Sequence, residues 1–270
     1  MHVAALSTYP VKGCHRIDHD VARVEPWGLA GDRRWMIVDA DGVGITQRGD
    51  ARLTQLRVAV RDGGIVLSAP GLPDLDLDEP VDGPKEFVRV FSNHAPAPAR
   101  IAESEWCSAF LGRPARLVWQ ADPGGRAVGG GTDGGEPVSF ADGYPMLLAN
   151  AASLAALNDW LAEARDEPVP ITRFRPNLVV ADAEPWAEDE WVERGVRLRA
   201  GDVELIAASG CGRCVVTTID QETGAKGREP LGMLGRRRRF GQKLLFAINL
   251  IPAPGARGSL RVGDRVTVVH

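Results

Sequence analysis

The sequence predicts a mainly β protein of the α+β class, a β-barrel or sandwich carrying a few peripheral helices. Three observations carry that expectation. Short β-branched or alternating apolar runs recur along the chain, tight-turn signals separate them, and only two stretches show helical periodicity.

Val3 to Ser7 reads as the first strand. Trp35-Met36-Ile37-Val38 is the next, and it runs into Asp39-Ala40-Asp41-Gly42, where Asp-Gly signals a tight hairpin turn. Leu56 to Val60 alternates and is joined through Arg61-Asp62-Gly63-Gly64 to Ile65-Val66-Leu67, a second hairpin. The proline-rich stretch 69–84 reads as loop and extended chain, and Phe87 to Phe91 as a further strand. Glu103 to Leu111 predicts a short helix with Trp106 and Phe110 four apart on one face, stopped by Gly112-Arg113-Pro114. Arg116 to Trp119 returns to extended chain.

Residues 120–137 are glycine-rich. A phosphate-cradling loop would need a strand leading in and a helix leading out, and neither is present, so a flexible loop or linker is the expectation. The domain boundary is placed there, with one unit over 1–119 and another over 138–270. In the second unit Asn150 is a good N-cap for a helix that repeats Leu154, Leu157 and Leu161 on one face. Strands follow at Leu178–Val180, Val196–Leu198, Val203–Ile206, Val215–Ile219, Leu244–Ile248 and Arg265–Val269.

The 270 residues are ample for a core without staples. A net charge of -4 gives no global basic field, so neither nucleic acid nor an anionic membrane is expected as a partner. No apolar stretch is long enough for a membrane-spanning helix, and the N-terminus has no basic leader, so a cytoplasmic location is expected by default. Cys14, Cys107, Cys211 and Cys214 are too few and too scattered for a disulfide scaffold. The basic residues are nearly all arginine, so a single arginine carries little information.

Cys211-Gly212-Arg213-Cys214 is the segment most suggestive of chemistry. A zinc site lacks its remaining ligands. A thioredoxin-like dithiol opens a helix, whereas the β-branched run after Cys214 disfavours one. A single thiolate ligand to a soft, cofactor-borne metal is the third reading, and two buried structural cysteines are the bland one. Arg175 offers a planar donor fork for phosphate or carboxylate, and Asn177 a donor and an acceptor suited to a heterocycle edge. Lys12 tips a turn, and Arg33 stands at the mouth of a strand; exposed turns and surface pairs are the plain alternatives. The run Arg236-Arg237-Arg238-Arg239 reads as a solvated loop in preference to a docking patch. His15, His19 and His94 form no ligand spacing.

Tyr9-Pro10-Val11-Lys12-Gly13-Cys14, Gly31-Asp32-Arg33-Arg34-Trp35, Phe140-Ala141-Asp142-Gly143-Tyr144-Pro145, Phe174-Arg175-Pro176-Asn177 and Cys211 to Thr218 fall in the order seen in MOSC proteins. The chain resembles that family over nearly its whole length, within it the amidoxime- and N-hydroxylamine-reducing molybdenum enzymes. The resemblance implies an N-terminal MOSC-type β-barrel-like domain followed by a MOSC β-barrel, and a molybdopterin-type molybdenum cofactor. It implies Cys214 as the molybdenum ligand and Asp142 as an acidic residue near the metal. Lys12, Arg33, Arg175 and Asn177 match positions that hold the pterin and its phosphate, and Gly212 and Arg213 the loop beside it. Some relatives have serine where Gly13 stands, so here a backbone N–H is expected to replace a hydroxyl. Arg213 is expected to help keep Cys214 ionised. Pyridoxal phosphate binding enters at the level of the family only.

The activity implied is reduction of small N-hydroxylated substrates, amidoximes or hydroxylamines. Some bacterial relatives append a ferredoxin domain, and this sequence ends just after the last expected MOSC strand. A separate electron donor is therefore expected, a ferredoxin, a cytochrome b5-like protein or a flavoprotein reductase. The alternative is a molybdenum-cofactor or sulfur carrier without turnover, in which Cys211 and Cys214 would suit sulfur relay.

Overall fold

The computed structural model describes residues 1–130 and 135–269. Among these residues the fold is mainly β, with four short α-helices: α1 (Glu105–Leu111), α2 (Ala151–Glu163), α3 (Ala187–Glu193) and α4 (Leu231–Arg237). The dominant sheet runs in the order Val266–Val269, Arg197–Ala200, Val203–Gly212, Lys243–Pro252, Met146–Asn150, Leu178–Ala181, His2–Thr8 and Ile17–His19, with Arg239–Phe240 paired to Lys243–Pro252. A four-stranded sheet orders Trp35–Val38, Arg116–Trp119, Ala97–Glu103 and Lys85–Val88. Two three-stranded sheets complete the fold. The ladders are open paths, so among the described residues no sheet closes into the barrel expected from the sequence; the mainly β class stands.

The pairing joins distant parts of the chain. His2–Thr8 lies antiparallel to Leu178–Ala181, and Val21–Glu25 pairs with Gly258–Arg261. The first thirty residues are thus built into the sheets of the second half, and the loop that follows the first strand is held at one end of the large sheet. Met146–Asn150, α2 and Leu178–Ala181 form a parallel crossover, entered through Asn150, whose side chain accepts from the Ala152 N–H at 3.0 Å.

Several strands match the expectation residue for residue, among them Trp35–Val38 and Arg116–Trp119, and the second hairpin closes at Arg61 opposite Gly64. Others differ for visible reasons. Val215–Thr218 is a turn of 3-10 helix, not a strand. Its threonines bond back along the chain, Thr217 Oγ1 to the Cys214 carbonyl at 2.9 Å and Thr218 Oγ1 to the Val215 carbonyl at 2.8 Å, which outweighs β-branching. The strand expected over Phe87–Phe91 is Lys85–Val88, because the chain then changes partner: the Arg89 carbonyl accepts from the Gly44 N–H at 2.8 Å. Leu75–Asp78, inside the stretch expected to be loop, is a third strand beside Gly64–Ser68.

The arginine run is solvated at Arg236, Arg237 and Arg239, as expected, but it is not a loop. Arg236 and Arg237 end α4, while Arg238 is buried, paired with Asp189 at 2.5 Å and placed over the Trp186 ring at 4.2 Å. Of the 120–137 segment, residues 131–134 lie outside the described residues. Arg126 in its described part is 1% exposed and donates to the Ser139, Ala141 and Asp142 carbonyls at 2.5, 2.7 and 3.2 Å, fixing the loop that carries Asp142.

Candidate active site

A cleft of about 800 Å³ opens between the loops that follow the first strand, the Asp142 loop, the Phe174–Asn177 turn and the Cys211–Cys214 segment. All nine residues singled out in the sequence line it: Lys12, Gly13, Arg33, Asp142, Arg175, Asn177, Gly212, Arg213 and Cys214. Its charged lining among the described residues is seven basic side chains and one carboxylate, a local positive field in a chain of net charge -4.

The basic groups are held by the fold. Lys12 is buried, its backbone N–H bonded to the Trp35 carbonyl at 2.8 Å. Its ammonium meets the Asp142 carboxylate and lies 5.4 Å from the centre of the Phe91 ring. Burial pulls its pKa from 10.5 down to about 8, against the pull of Asp142. Asp142 opens to the cleft; burial works against its charge, but Lys12, Arg48 and Arg33 hold its carboxyl well below the usual range. Gly13 has φ +79, its carbonyl accepts from Gln47 Nε2 at 2.7 Å, and its N–H has no partner among the described residues.

Arg33 and Arg175 both stand in the left-handed backbone region, φ 49 and 56, and both lie over the buried Tyr9 ring, at 4.6 and 4.1 Å. Arg33 is anchored by the buried Asp32 carboxylate. Arg175 donates one Nη to Gln221 Oε1 at 2.9 Å and leaves the other without a partner. Burial lowers the Arg175 pKa to about 10, with Arg33 adding to the effect, and raises the Tyr9 phenol to about 12. Asn177 uses both ends of its amide on the protein. Oδ1 accepts from the Leu147 N–H at 3.2 Å and from Arg33 at 3.1 Å, and Nδ2 donates to the Ser7 carbonyl at 3.1 Å. Its side chain therefore ties Arg33 to two strands instead of presenting a free amide edge.

The two thiols have different partners. Cys211 is the last residue but one of the strand Val203–Gly212, and Cys214 caps the 3-10 turn that begins at Val215. The Arg213 guanidinium donates to Cys211 Sγ at 2.9 Å and to the Phe174 carbonyl at 2.8 Å. It does not serve Cys214, contrary to the sequence expectation. Arg48 does: its Nη2 lies 3.3 Å from Cys214 Sγ and 3.4 Å from Asp142 Oδ2, with its guanidinium 5.0 Å from the Phe91 ring centre. Burial opposes charge on Arg48, but the sulfur and the carboxylate prevail and raise its pKa.

Residues 1–114 match the MOSC N-terminal beta barrel domain and residues 135–267 the MOSC domain. The chain is 31% identical over 286 residues to mitochondrial amidoxime-reducing component 1 of Homo sapiens, an alignment covering 98% of this chain and 82% of that protein. The chain belongs to the MOSC family. It is also 30% identical to mitochondrial amidoxime reducing component 2 of Bos taurus, over 98% of this chain and 82% of that protein. Molybdenum cofactor sulfurase of Oryza sativa subsp. japonica is 28% identical over 93% of this chain, a match that takes up 32% of the larger protein.

In this MOSC protein the site also contains residues that sequence reasoning passed over. Arg48 lies in Thr46-Gln47-Arg48-Gly49, between two glycines of an irregular loop, and an arginine in an arginine-rich chain gave no signal. Gln47 and Gln221 are buried and bond to each other at 2.9 and 3.0 Å, which locks the Arg48 loop to the turn after the 3-10 helix. Arg239, Gln242 and Lys243 reach the cleft from the hairpin that opens the interior strand Lys243–Pro252.

Proposed function

We propose that the cleft holds a molybdenum cofactor through Cys214 and that the protein reduces N-hydroxylated compounds, amidoximes or hydroxylamines, with electrons from a separate redox partner. The observation that carries this reading is the meeting of a cleft-facing thiol with a crowd of cations. Such a site suits a group that brings negative charge and a soft metal together. Among the described residues no cluster of three or more His, Cys, Asp or Glu side chains is placed to hold a metal ion. A metal here must therefore bring most of its own ligands, as a dithiolene cofactor does. Arg175 Nη2 and Arg213 Nε are buried donors without partners, and an anionic cofactor would satisfy them.

On this reading Cys214 supplies the protein's thiolate ligand, and Arg48 offsets its charge. Lys12, Arg33 and Arg175 hold the phosphate, the free Gly13 N–H adds a donor, and Asn177 positions Arg33. Gly212 lets the chain pass close beside the group. Asp142, salt-bridged to Lys12 and Arg48, stands at the reacting end and fixes both cations. The cofactor, when bound, would supply the two-electron redox chemistry that the reduction needs. The protein's part is to bind, orient and neutralise. The free thiols accord with a reducing compartment, and we place the protein in the cytoplasm.

Arg213 on Cys211 favours one further reading, a cofactor or sulfur carrier in which Cys211 acts as a second thiol. The test covers both. Protein purified from a cofactor-competent host is expected to contain molybdenum and pterin and to reduce benzamidoxime with an artificial donor. Cys214→Ser should abolish this, and Cys211→Ser should cost less than about threefold, under 1 kcal/mol. Metal-loaded protein without turnover leaves the carrier; absence of molybdenum and pterin ends both readings.

A further inference from the structure

We propose that the hairpin tip at residues 239–243 is an anion-recognition arm for the substrate, so that the N-hydroxylated compound taken by this cleft carries a phosphate or a carboxylate. This rests on the reductase reading above and narrows its substrate class.

Five of the seven basic side chains in the cleft are already committed. Lys12 meets Asp142, Arg33 meets Asp32 and Asn177, Arg48 meets Cys214 and Asp142, Arg175 meets Gln221, and Arg213 meets Cys211 and the Phe174 carbonyl. The side chains of Arg239 and Lys243 make no hydrogen bond or ion pair with the described residues, although both line the cleft and both residues are exposed. A guanidinium fork and an ammonium left open at the mouth of a cavity present the donors that a phosphate or carboxylate requires.

The arm is fixed in place. Arg239 pairs with Leu244 and Phe240 with Lys243, and the chain reverses through Gly241, at φ +58, and Gln242. The Arg213 N–H donates to the Leu244 carbonyl at 2.8 Å and the Leu245 N–H to the Arg238 carbonyl at 2.9 Å, so the arm's base is bonded to the thiol-bearing segment. The Lys243 stem lies beside Gly212, 3.6 Å from where a β-carbon would sit. Val216 and Leu244 add apolar surface to the same cleft, a place for the uncharged body of a substrate between the thiol and the arm.

The test uses molybdenum-loaded protein without an electron donor, so that nothing turns over, and measures binding by titration calorimetry. The pairs are benzamidoxime against 4-carboxybenzamidoxime, and N4-hydroxycytidine against its 5′-monophosphate. At least one anionic member is expected to bind about tenfold more tightly than its neutral partner, the sum of two partly screened charge contacts. Whichever pair shows the preference names the group. The preference should fade with added salt and collapse to near unity in the Arg239→Ser/Lys243→Ser double variant.

Equal affinity within both pairs, or a preference that survives in the double variant, overturns the proposal. So does loss of bound molybdenum in that variant, which assigns the cations to the cofactor. An unchanged substrate preference with a raised KM for a donor protein assigns them to an acidic partner and also overturns it. Turnover with an artificial donor separates this from the parent reading: no reduction of any of the four compounds sinks the reductase, whereas equal binding and reduction of all four sinks only the arm.

Discussion

Lys12 is a cleft side chain whose charge the fold controls tightly, and its titration tests the electrostatics of the cleft. The side chain is 5% exposed, and burial moves its pKa from 10.5 to about 8 even with the Asp142 carboxylate in contact. At about 1.4 kcal/mol per unit, the charged form is disfavoured in the folded chain by about 3 kcal/mol relative to the unfolded one. Below about pH 8 both states carry the proton and the penalty is present in full. Between about pH 8 and 10.5 the unfolded chain binds more protons, so stability rises with pH across that window. Anion binding runs the other way, because the cleft loses a cation as pH passes 8. Pulse acetylation from pH 6 to 10, read at Lys12 by peptide mass spectrometry, is expected to give a midpoint near 8. Asp142→Asn should move it lower, since that carboxylate props the value up. Lys12→Met should flatten the rise in unfolding free energy above pH 8. A Lys12 midpoint at 10 or above, or a Lys12→Met stability profile identical to the parent's, refutes the reasoning.

Three further outcomes are expected. Arg126→Met removes the donor to three carbonyls, two of them in buried hydrogen bonds, and should cost about 3 kcal/mol, measured by urea unfolding; a loss under about 1 kcal/mol contradicts the account. Gly28→Ala puts a β-carbon 2.6 Å from the Pro145 carbonyl oxygen at φ +120, and should lower the urea midpoint by the equivalent of about 2 kcal/mol. Arg48→Met should slow alkylation of Cys214 by anionic iodoacetate about fivefold more than by neutral iodoacetamide, the worth of about 1 kcal/mol of local charge; equal slowing would place Arg48 away from the thiol.

The residues that line the cleft were legible through the order of their motifs, because they sit in turns where glycine and proline carry positional meaning. Lys12-Gly13, Asp32-Arg33 and Arg175-Pro176-Asn177 are each a few residues of irregular chain whose chemistry does not depend on the strands around them. Hairpins were legible where polar turns punctuate alternation, as at Arg61 to Gly64. Met146–Asn150 was missed because every one of its residues is buried; a strand covered on both faces shows no alternation. Helix α3 was missed because Ala187–Glu193 is mostly acidic and buries only Glu188 and Trp191. Glu188 is in fact 1% exposed, accepting from Asn150 Nδ2 at 3.0 Å and Ser153 Oγ at 2.9 Å, so this helix is held by a polar network that hydrophobic periodicity cannot reveal.

The misassigned partner of Cys214 has a more general cause. Arg213 and Cys214 are neighbours in sequence, but the chain there is extended, and consecutive side chains of an extended chain point to opposite sides. Arg213 and Cys211 are two apart, share a side and meet at 2.9 Å. The cation for Cys214 has to come from elsewhere, and it comes from Arg48, 166 positions away. Lys12 and Arg33 reach the cleft from the same N-terminal half, and Lys12 sets the charge of Asp142 across the cleft. The MOSC domain supplies the thiol and Arg175, but the guanidinium beside the thiol belongs to the first fifty residues. The cleft is therefore a product of both halves, and the pairing of His2–Thr8 with Leu178–Ala181 is one of the contacts that join them.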